Sequence, residues 1–395
     1  MKLNQWSIAL SALGLISAAT VVRAEEAKLS QVETALSQTV LSGYISTSAS
    51  LNMSRDGALP GRSFDGPSKQ DGFNLDVVKL ALEKALTEDQ WSAGYKAELL
   101  FGPDSDFYHN SINGGTGVAA DSGFAIKNAY ATLRAPVGNG LDFKMGVFDT
   151  VLGYEVFDAG SNPNFSRSYG FFLEPTHHTG LLASYKVNDM LSFSGGVANT
   201  YNSAINGRTI TVSGPARQAE GHLAYLGSAT ITLPESSGPL AGSALYAGFT
   251  YGKNGTGSAA GISGAKDTAS YYAGATLNTG ITGLTAGLAY DYRANGNGVQ
   301  NYAWSGAGYL SYALTEKFKV NGRADYTEGS DGTYYTSGKN NKMYAITGTA
   351  DYSLWANVIT RAEVRWDHAT VGTPFGTGTG EKNAVTLAAN VIYKF

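Results

Sequence analysis

The sequence predicts an all-β protein, a transmembrane up-and-down antiparallel β-barrel of about 16 strands with its third outer loop folded into the lumen. Three observations lead to this prediction. Segment after segment alternates between apolar and more polar residues with a period of two. The connections between these segments switch regularly between short and long. The last segment alternates up to the final residue, Phe395, whereas most chain ends fray into polar tails.

The beginning of the chain has the form of a secretory signal. Lys2 precedes an apolar run, Ile8 to Val22, that is too short to span a bilayer comfortably, and a small-x-small cleavage site ends at Ala24. We therefore assign residues 1–24 to a signal peptide, with an uncleaved anchor helix as the alternative. Residues 25–39 are predicted to be a short periplasmic segment, and residues 40–395 the transmembrane β-barrel domain.

Composition excludes several classes of protein. The chain has no Cys, which excludes a lipoprotein anchor, a disulfide framework and thiolate metal sites. It contains 50 Gly and 24 Tyr, and only 15% of its residues are charged, which favours strands and turns over a helical bundle. After Val22 no apolar run approaches the roughly 20 residues of a membrane helix, so strands must make any membrane span. A net charge of −4 is not typical of a nucleic-acid-binding protein.

Alternation alone would also suit a soluble β-sandwich, but the connections favour a barrel. Outer-membrane barrels have short periplasmic turns, long outer loops and an even number of strands. The short connections lie near 87–90, 136–140, 188–189, 234–239, 279–283, 315–316 and 353–357, and the long ones near 53–72, 102–123, 149–178, 202–219, 253–269, 293–301, 328–341 and 368–382. Aromatic residues cluster towards the strand ends, which predicts two girdles at the membrane interfaces.

In this frame the apolar phase of each strand faces lipid and the charged phase faces the lumen. A barrel of about 16 strands leaves a water-filled channel, so charged side chains of the inward phase are expected to line it. The predicted pore-lining residues are Lys96, Glu98, Asp142, Lys144, Lys319, Arg323, Asp325, Arg361, Glu363, Arg365 and Asp367. For any single one of them, solvation of the inner wall is the favoured interpretation, and pore lining is the interpretation of the set as a whole. Lys127 breaks the phase, and we expect it to snorkel from the lipid face near the outer end.

The third long connection, Asp149 to His178, differs from the other long connections. The others are rich in Gly, Ser and Asn and look solvated, whereas this one carries ten large apolar or aromatic residues, among them Leu152, Phe157 and Phe171. A loop of about 30 residues with so much apolar surface should pack against something, and in a barrel the inner wall is available. The predicted constriction residues are Asp149, Glu155, Asp158, Arg167 and Glu174. Acids here, facing bases on the wall, would set up a transverse field that screens solutes.

The same region carries a resemblance to a known family. The runs Gly146-Val147-Phe148, Gly153-Tyr154-Glu155, Asn162-Pro163, Ser166-Arg167-Ser168-Tyr169 and Pro175-Thr176-His177-His178-Thr179-Gly180 resemble the OmpL-like β-barrel porins of bacterial outer membranes. The closest similarity covers about 146–187, and the signal peptide, strand texture and terminal Phe extend it over the whole chain. The resemblance implies an outer-membrane diffusion channel and fixes no solute. In general porins, too, the third outer loop folds into the lumen.

The partners expected from this resemblance are outer-membrane lipid, small hydrophilic solutes, the barrel-assembly machinery through Phe395, and further copies of the chain in a homotrimer. No catalytic residue, cofactor or metal site is predicted. His177 and His178 are adjacent, so on an extended chain they point to opposite sides. Asp104 and Asp106 do not fit a calcium-loop pattern, and no stretch matches a phosphate-binding loop.

The favoured function is a passive diffusion channel that performs no chemistry. A channel selective for sugars or anions is the main alternative, because four tyrosines occupy the inward phase: Tyr44, Tyr246, Tyr272 and Tyr309. A structural or adhesive barrel with a plugged lumen is less favoured, and an enzyme least of all.

Overall fold

The structure is a computed structural model that describes residues 38–54, 57–66, 69–108, 123–201, 205–213, 216–220, 222–253, 267–296, 300–376 and 380–395. The predicted signal peptide (1–24) and nearly all of the predicted periplasmic segment (25–39) lie outside the described residues, so both stay predictions. No helix within the described ranges has the length and apolar character needed to cross a bilayer.

Sixteen strands close into one antiparallel barrel, and two more form a separate hairpin in the fourth long loop. The barrel strands are β1 (Val40–Asn52), β2 (Gly72–Lys84), β3 (Ser92–Phe101), β4 (Phe124–Ala135), β5 (Leu141–Asp149), β6 (His177–Lys186), β7 (Leu191–Ala198), β10 (Ala224–Thr232), β11 (Ala244–Lys253), β12 (Asp267–Asn278), β13 (Leu284–Asn295), β14 (Tyr302–Ala313), β15 (Phe318–Gly329), β16 (Asn341–Trp355), β17 (Val358–Ala369) and β18 (Asn383–Lys394). The hairpin strands are β8 (Thr209–Ser213) and β9 (Ala216–Glu220). The predicted barrel and its strand number are confirmed; the hairpin was not predicted.

The barrel closes where the two ends of the chain meet. Strand β1 pairs with β18, with Tyr44 opposite Lys394 and Asn52 opposite Thr386. The amide of Gly43 donates to the carbonyl of Phe395 at 2.9 Å, and the amide of Phe395 donates to the carbonyl of Gly43 at 3.0 Å. An open sheet would expose unpaired backbone N–H and C=O groups at its two edges, and these cannot be satisfied in the hydrocarbon core of a bilayer. Closure pairs them.

Aromatic side chains form belts at both ends of the strands. At the end with the long loops, the outward-facing rings of Tyr290 and Trp304 lie 6.1 Å apart, and those of Trp304 and Tyr326 lie 5.3 Å apart. At the end with the short turns, the rings of Phe318 and Tyr352 lie 6.5 Å apart. This placement agrees with the predicted girdles, since amphipathic rings favour the membrane interface.

Two β-bulges turn additional charged residues inward. The pairing of β3 with β4 shifts between Glu98 and Leu99, and Lys127 and Asn128 are both buried. The ammonium group of Lys127 lies 3.1 Å from Oε2 of Glu98. The expectation that Lys127 snorkels on the lipid face is therefore wrong, because a bulge inserts one residue and changes the facing of the side chains beside it. A second bulge, between β1 and β2, buries Asp76 in the same way.

The first and second long loops are not simply solvated, contrary to the sequence-based expectation. Phe64 of the first loop and Phe107 of the second pack against Phe171 of the third, with ring centroids 5.6 and 5.4 Å away. Tyr108 lies on a 3₁₀ turn (Pro103–Tyr108) and packs against Phe157 at 5.3 Å. These few aromatic residues change the overall composition of their loops very little, so composition did not predict them. Their burial holds the first three long loops in contact with one another.

The closure geometry yields a folding prediction. A Cβ atom at Gly43 would lie 2.1 Å from the carbonyl oxygen of Lys79 and 2.7 Å from the ring of Phe395, so Gly43→Ala should strain the seam between β1, β2 and β18. We expect a smaller fraction of the heat-modifiable, folded species on a semi-native gel. Gly306→Ala is the matched control, because nothing lies within 4 Å of a Cβ there. Equal folded fractions for the two variants would contradict this account of closure.

Candidate functional site: the third loop and the charged wall

The third long loop, residues 150–176 between β5 and β6, is called L3 below. Its own polar side chains organise it. The side chain of Asn162 accepts from the amide of Val156 at 2.8 Å and donates to its carbonyl at 2.7 Å. The guanidinium of Arg167 donates to the carbonyls of Phe157 and Phe165 at 2.6 and 2.5 Å. Arg167, a predicted constriction residue, therefore holds L3 together from within.

Arginines of the barrel wall bind the backbone of L3. Arg323 on β15 donates to the carbonyl of Ser166 at 2.6 Å and to Oε1 of Glu155 at 2.9 Å. Arg365 on β17 donates to the carbonyl of Arg167 at 2.5 Å. Both guanidinium groups are fully buried. Arginine suits this role because its planar fork presents several donors in a fixed geometry.

Arg361, on the same strand as Arg365, binds nearer to the short turns. Its guanidinium donates to the carbonyls of Ala159 and Asn162 at 2.6 and 3.1 Å. The three arginines of β15 and β17 therefore hold L3 at two places. Arg361 binds its tip, residues 159–162, and Arg323 and Arg365 bind its returning limb, residues 166–167.

Acids of the same wall accept from the amides of L3. The carboxylate of Glu363 accepts from the amides of Phe165 and Ser166 at 2.6 and 3.0 Å. Asp325 accepts from the amide of Tyr169 at 3.1 Å, and Asp367 accepts from its phenol at 2.6 Å. Tyr169 opens the helix α1 (Tyr169–Leu173), whose N-terminus favours nearby negative charge. Basic side chains of the wall thus donate to L3 carbonyls, and acidic side chains of the wall accept from L3 amides.

Lysines on β2, β3 and β4 surround Glu98. The carboxylate of Glu98 lies 3.1 Å from the ammonium of Lys79, 3.2 Å from that of Lys96 and 3.1 Å from that of Lys127. Lys79 also pairs with Asp158 of L3 at 2.7 Å, and Lys127 pairs with Asp149 at the end of β5. Burial alone would raise the pKa of Asp158, but Lys79 and Lys127 outweigh burial and hold it below its usual range. Asp158 is therefore ionised when L3 is in place.

Three predicted pore-lining residues lie in other contacts. Asp142 accepts from Arg134 at 2.6 Å beside the short turn 136–140. The ammonium of Lys144 lies 4.6 Å from the ring centroid of Tyr130. Lys319 is opposite Asp351 across the β15–β16 pair. Asp142 and Lys319 are each the second residue of a strand that follows a short turn, so both lie at the short-turn end of the barrel.

The transverse-field hypothesis requires the acids of L3 to face bases on the wall, but Glu174 faces another acid. The Glu174 carboxyl hydrogen-bonds with the carboxyl of Asp291 on β13; Asp291 is buried and Glu174 is half-buried. Glycines make room for the pair, since a Cβ at Gly153 would lie 2.2 Å from Oε2 of Glu174 and one at Gly170 would lie 2.3 Å from Oδ2 of Asp291. Burial, and then the charge of Asp291, holds the pKa of Glu174 well above its usual value of 4.5. The two carboxyls therefore share a proton.

Several site residues were missed at the sequence level. Lys79 lies in the inward phase of β2, a strand whose alternation is obscured by the bulge at Asp76. Arg62 comes from the first long loop and donates to Asp367 at 2.9 Å. Asp291 lies between two tyrosines on β13. Only the alternation of β13 could have predicted that Asp291 faces the lumen.

A cavity of about 810 Å³ lies on the short-turn side of L3. Its lining includes Tyr154 and Asn162 of L3, and Lys319 and Arg361 of the wall. In the part of the chain that the structure describes, no three His, Cys, Asp or Glu side chains are placed to hold a metal ion.

The sequence matches the family described as "Putative beta-barrel porin-2, OmpL-like" over residues 38–395, and the chain belongs to this family. It is thus an outer-membrane β-barrel channel of the porin class. No curated protein matches the sequence.

Solved structures with the same fold come from several bacteria. The outer-membrane channel DcaP of Acinetobacter baumannii is 12% identical with a TM-score of 0.57, covering 93% of this chain and 100% of that one. An anion-selective porin from Comamonas acidovorans is 14% identical with a TM-score of 0.57, covering 90% and 99%. The trimer form of OmpT from Vibrio cholerae is 12% identical with a TM-score of 0.55, covering 90% and 99%. At these identities the likeness shows the fold alone.

The Glu174–Asp291 pair predicts a pH dependence. A raised pKa in the folded state means that the folded state binds the proton more tightly, so stability is greatest below about pH 4.5 and falls as the pH rises towards the raised pKa, at roughly 1.4 kcal/mol per pH unit. Glu174→Gln keeps a neutral hydrogen-bonding group, so it should raise the melting temperature at pH 8 relative to the unchanged chain and leave it nearly unchanged at pH 4.

Glu316→Gln, in an exposed short turn, is the control and should not alter the difference between the two pH values. Thermal unfolding of the purified barrels in detergent measures the melting temperatures of both variants at both pH values. If Glu174→Gln lowered the melting temperature at pH 8, the shared proton would be excluded.

Proposed function

We propose that the protein is a passive diffusion channel for small hydrophilic solutes and ions, in which L3 folds into the lumen and forms the constriction. The contacts of L3 with inward-facing side chains carry this proposal. They reach Tyr246 and Tyr309 on one side through Leu152 and Tyr154, Arg323 and Arg365 on another, and Lys79 on a third. A segment held from several directions by the inner wall sets the size of the remaining passage.

The predicted pore-lining charges then have a structural task. Arg323, Arg361, Glu363 and Arg365 engage L3, so they fix the constriction and only indirectly meet solutes. Because bases and acids alternate along β17, no single sign of charge dominates this wall. We infer that charge discrimination is weak and that size is the main filter, with no chemical step.

Assembly and export remain part of the proposal. Phe395 at the closed seam is the expected contact with the barrel-assembly machinery, after removal of residues 1–24 during export. The trimer form of OmpT from Vibrio cholerae, which has the same fold, supports a homotrimer for this chain.

Conductance of the purified protein in planar bilayers tests the channel and its constriction. The unchanged chain should give open-channel steps, and deletion of 155–172 should raise the single-channel conductance several-fold, because the tip and the returning limb of L3 are removed. Absence of steps from the folded barrel would refute a channel, and an unchanged conductance after deletion would refute the constriction.

A second deletion controls for the loss of chain length. Strands β8 and β9 pair in a two-stranded sheet that is not part of the barrel sheet. Deletion of 209–220 shortens an outer loop, by about two-thirds as many residues as the L3 deletion, and should leave the conductance unchanged. A rise equal to that of the L3 deletion would show that any shortened loop widens the channel.

A further inference from the structure

The inner wall has two chemically different halves. From β15 through β18 and on through β1 to β5, inward side chains include Arg323, Arg365, Lys79 and Glu98. Along β7, β10, β11 and β12, the inward phase carries hydroxyl groups, small residues and phenols, together with Leu226 and Asn278, and none of its described residues is charged. This second surface, the neutral wall, is one continuous patch because the four strands are consecutive neighbours in the barrel.

Six buried hydroxyl groups on the neutral wall have no hydrogen-bond partner among the described residues: Ser192, Ser228, Thr230, Thr232, Thr250 and Tyr272. All of these residues except Thr232 are at least nine-tenths buried. Buried hydroxyls without a partner lose the hydrogen bonds that they make with water, which destabilises the barrel unless another group supplies them. So many on one patch indicate a surface kept for an external partner.

The unpaired groups lie side by side. Ser192 is opposite Thr230 across the β7–β10 pair. Ser228 is opposite Gly248, which is in turn opposite Tyr272 on β12. Directly opposed residues of antiparallel strands are about 5 Å apart, so one sugar can reach the hydroxyl groups of two opposed residues at once.

The apolar beginning of L3 covers this row. Leu152 packs against the row, since a Cβ at Gly248 would lie 2.7 Å from Cδ2 of Leu152 and 3.5 Å from Cβ of Ser228. Val151 and Leu152 belong to one apolar cluster with Tyr246 and Tyr272. An isobutyl group offers a hydroxyl neither a donor nor an acceptor, so this cover satisfies none of the groups beneath it.

We propose that the neutral wall is a binding path for neutral polyhydroxylated solutes, that is, sugars or sugar alcohols, which take the place of Leu152. A hydroxyl donates and accepts, so a row of hydroxyls complements a polyol on both counts. The phenol rings of Tyr246 and Tyr272 offer apolar faces to the C–H groups of a sugar ring. An ionised solute would find no counter-charge on this wall. This inference rests on the proposed channel function and names its solute class.

Sugar block of the ion current tests the inference. Maltose is the probe, added to the full-length protein in planar bilayers bathed in potassium chloride. The current should fall and saturate with maltose concentration. In the variant Ser228→Ala/Thr230→Val, the half-blocking concentration should rise about tenfold, as expected when two hydrogen bonds are lost.

Ser305→Ala/Thr327→Val is the matched control. These two hydroxyls lie opposite each other on β14 and β15, outside the neutral wall, and already donate to backbone carbonyls at 3.0 and 2.8 Å, so their loss should change the half-blocking concentration less than about twofold. The Ser228/Thr230 variant should also melt no lower than the unchanged chain, since it removes unsatisfied groups, and this excludes misfolding as the cause.

The outcomes separate the two proposals. Open-channel steps without block by maltose would overturn the sugar path and leave the channel intact, whereas absence of steps would overturn the channel. Block that is equal in the Ser228/Thr230 variant and the unchanged chain would place the sugar elsewhere and overturn the inference. Equal block by lactobionate, an anion of disaccharide size, would overturn the preference for neutral solutes.

Discussion

The interaction on which the rest of the structure depends is the binding of the L3 backbone by charged groups of the barrel wall. Arg323 and Arg365 donate to L3 carbonyls, and Glu363 accepts from two L3 amides. Removing such charges from water costs several kcal/mol each unless they are paired, and the L3 backbone supplies part of that pairing. Most of L3 is irregular, so its backbone groups take their partners from the wall and from L3 side chains such as Asn162 and Arg167. Wall and loop therefore complement each other, and the position of L3 is fixed more firmly than an apolar contact would fix it.

The two halves of the inner wall follow from this requirement. Charge is concentrated where L3 must be held, on β15 to β18 and on β2 to β5, and is missing from the inward phase of β7 and β10 to β12. The hydroxyl-rich half contacts the loop through Leu152 and its apolar neighbours and through Tyr154, which hydrogen-bonds to Thr276 on β12. A polar solute can compete with an apolar cover far more easily than with an arginine. The passage is thus expected to run along the neutral wall, with L3 anchored across from it.

The barrel could be predicted from the sequence because a period of two, alternating connection lengths and an aromatic end each reflect one dominant constraint, the bilayer. The apolar content of L3 likewise predicted that it packs against the wall. The details of the site could not be predicted for identifiable reasons. The bulge beside Lys127 reverses the facing of that side chain without a sequence signal, and the pairing of Glu174 with Asp291 joins residues distant in sequence. The alternation of a strand predicts which charged side chains face the lumen, but it does not predict that those side chains bind the backbone of a loop.

A cross-link between L3 and the wall tests the central claim most directly. The chain has no native Cys, and a Cβ at Gly170 would lie 3.3 Å from Cγ of Asp291, so Gly170→Cys/Asp291→Cys places two thiols within reach of each other. The account predicts that the disulfide forms in the folded barrel and that the single-channel conductance is the same before and after its reduction, because the bond holds L3 where it already lies. Two free thiols in the folded barrel, or a conductance that rises on reduction, would contradict a loop docked on the wall in the conducting state.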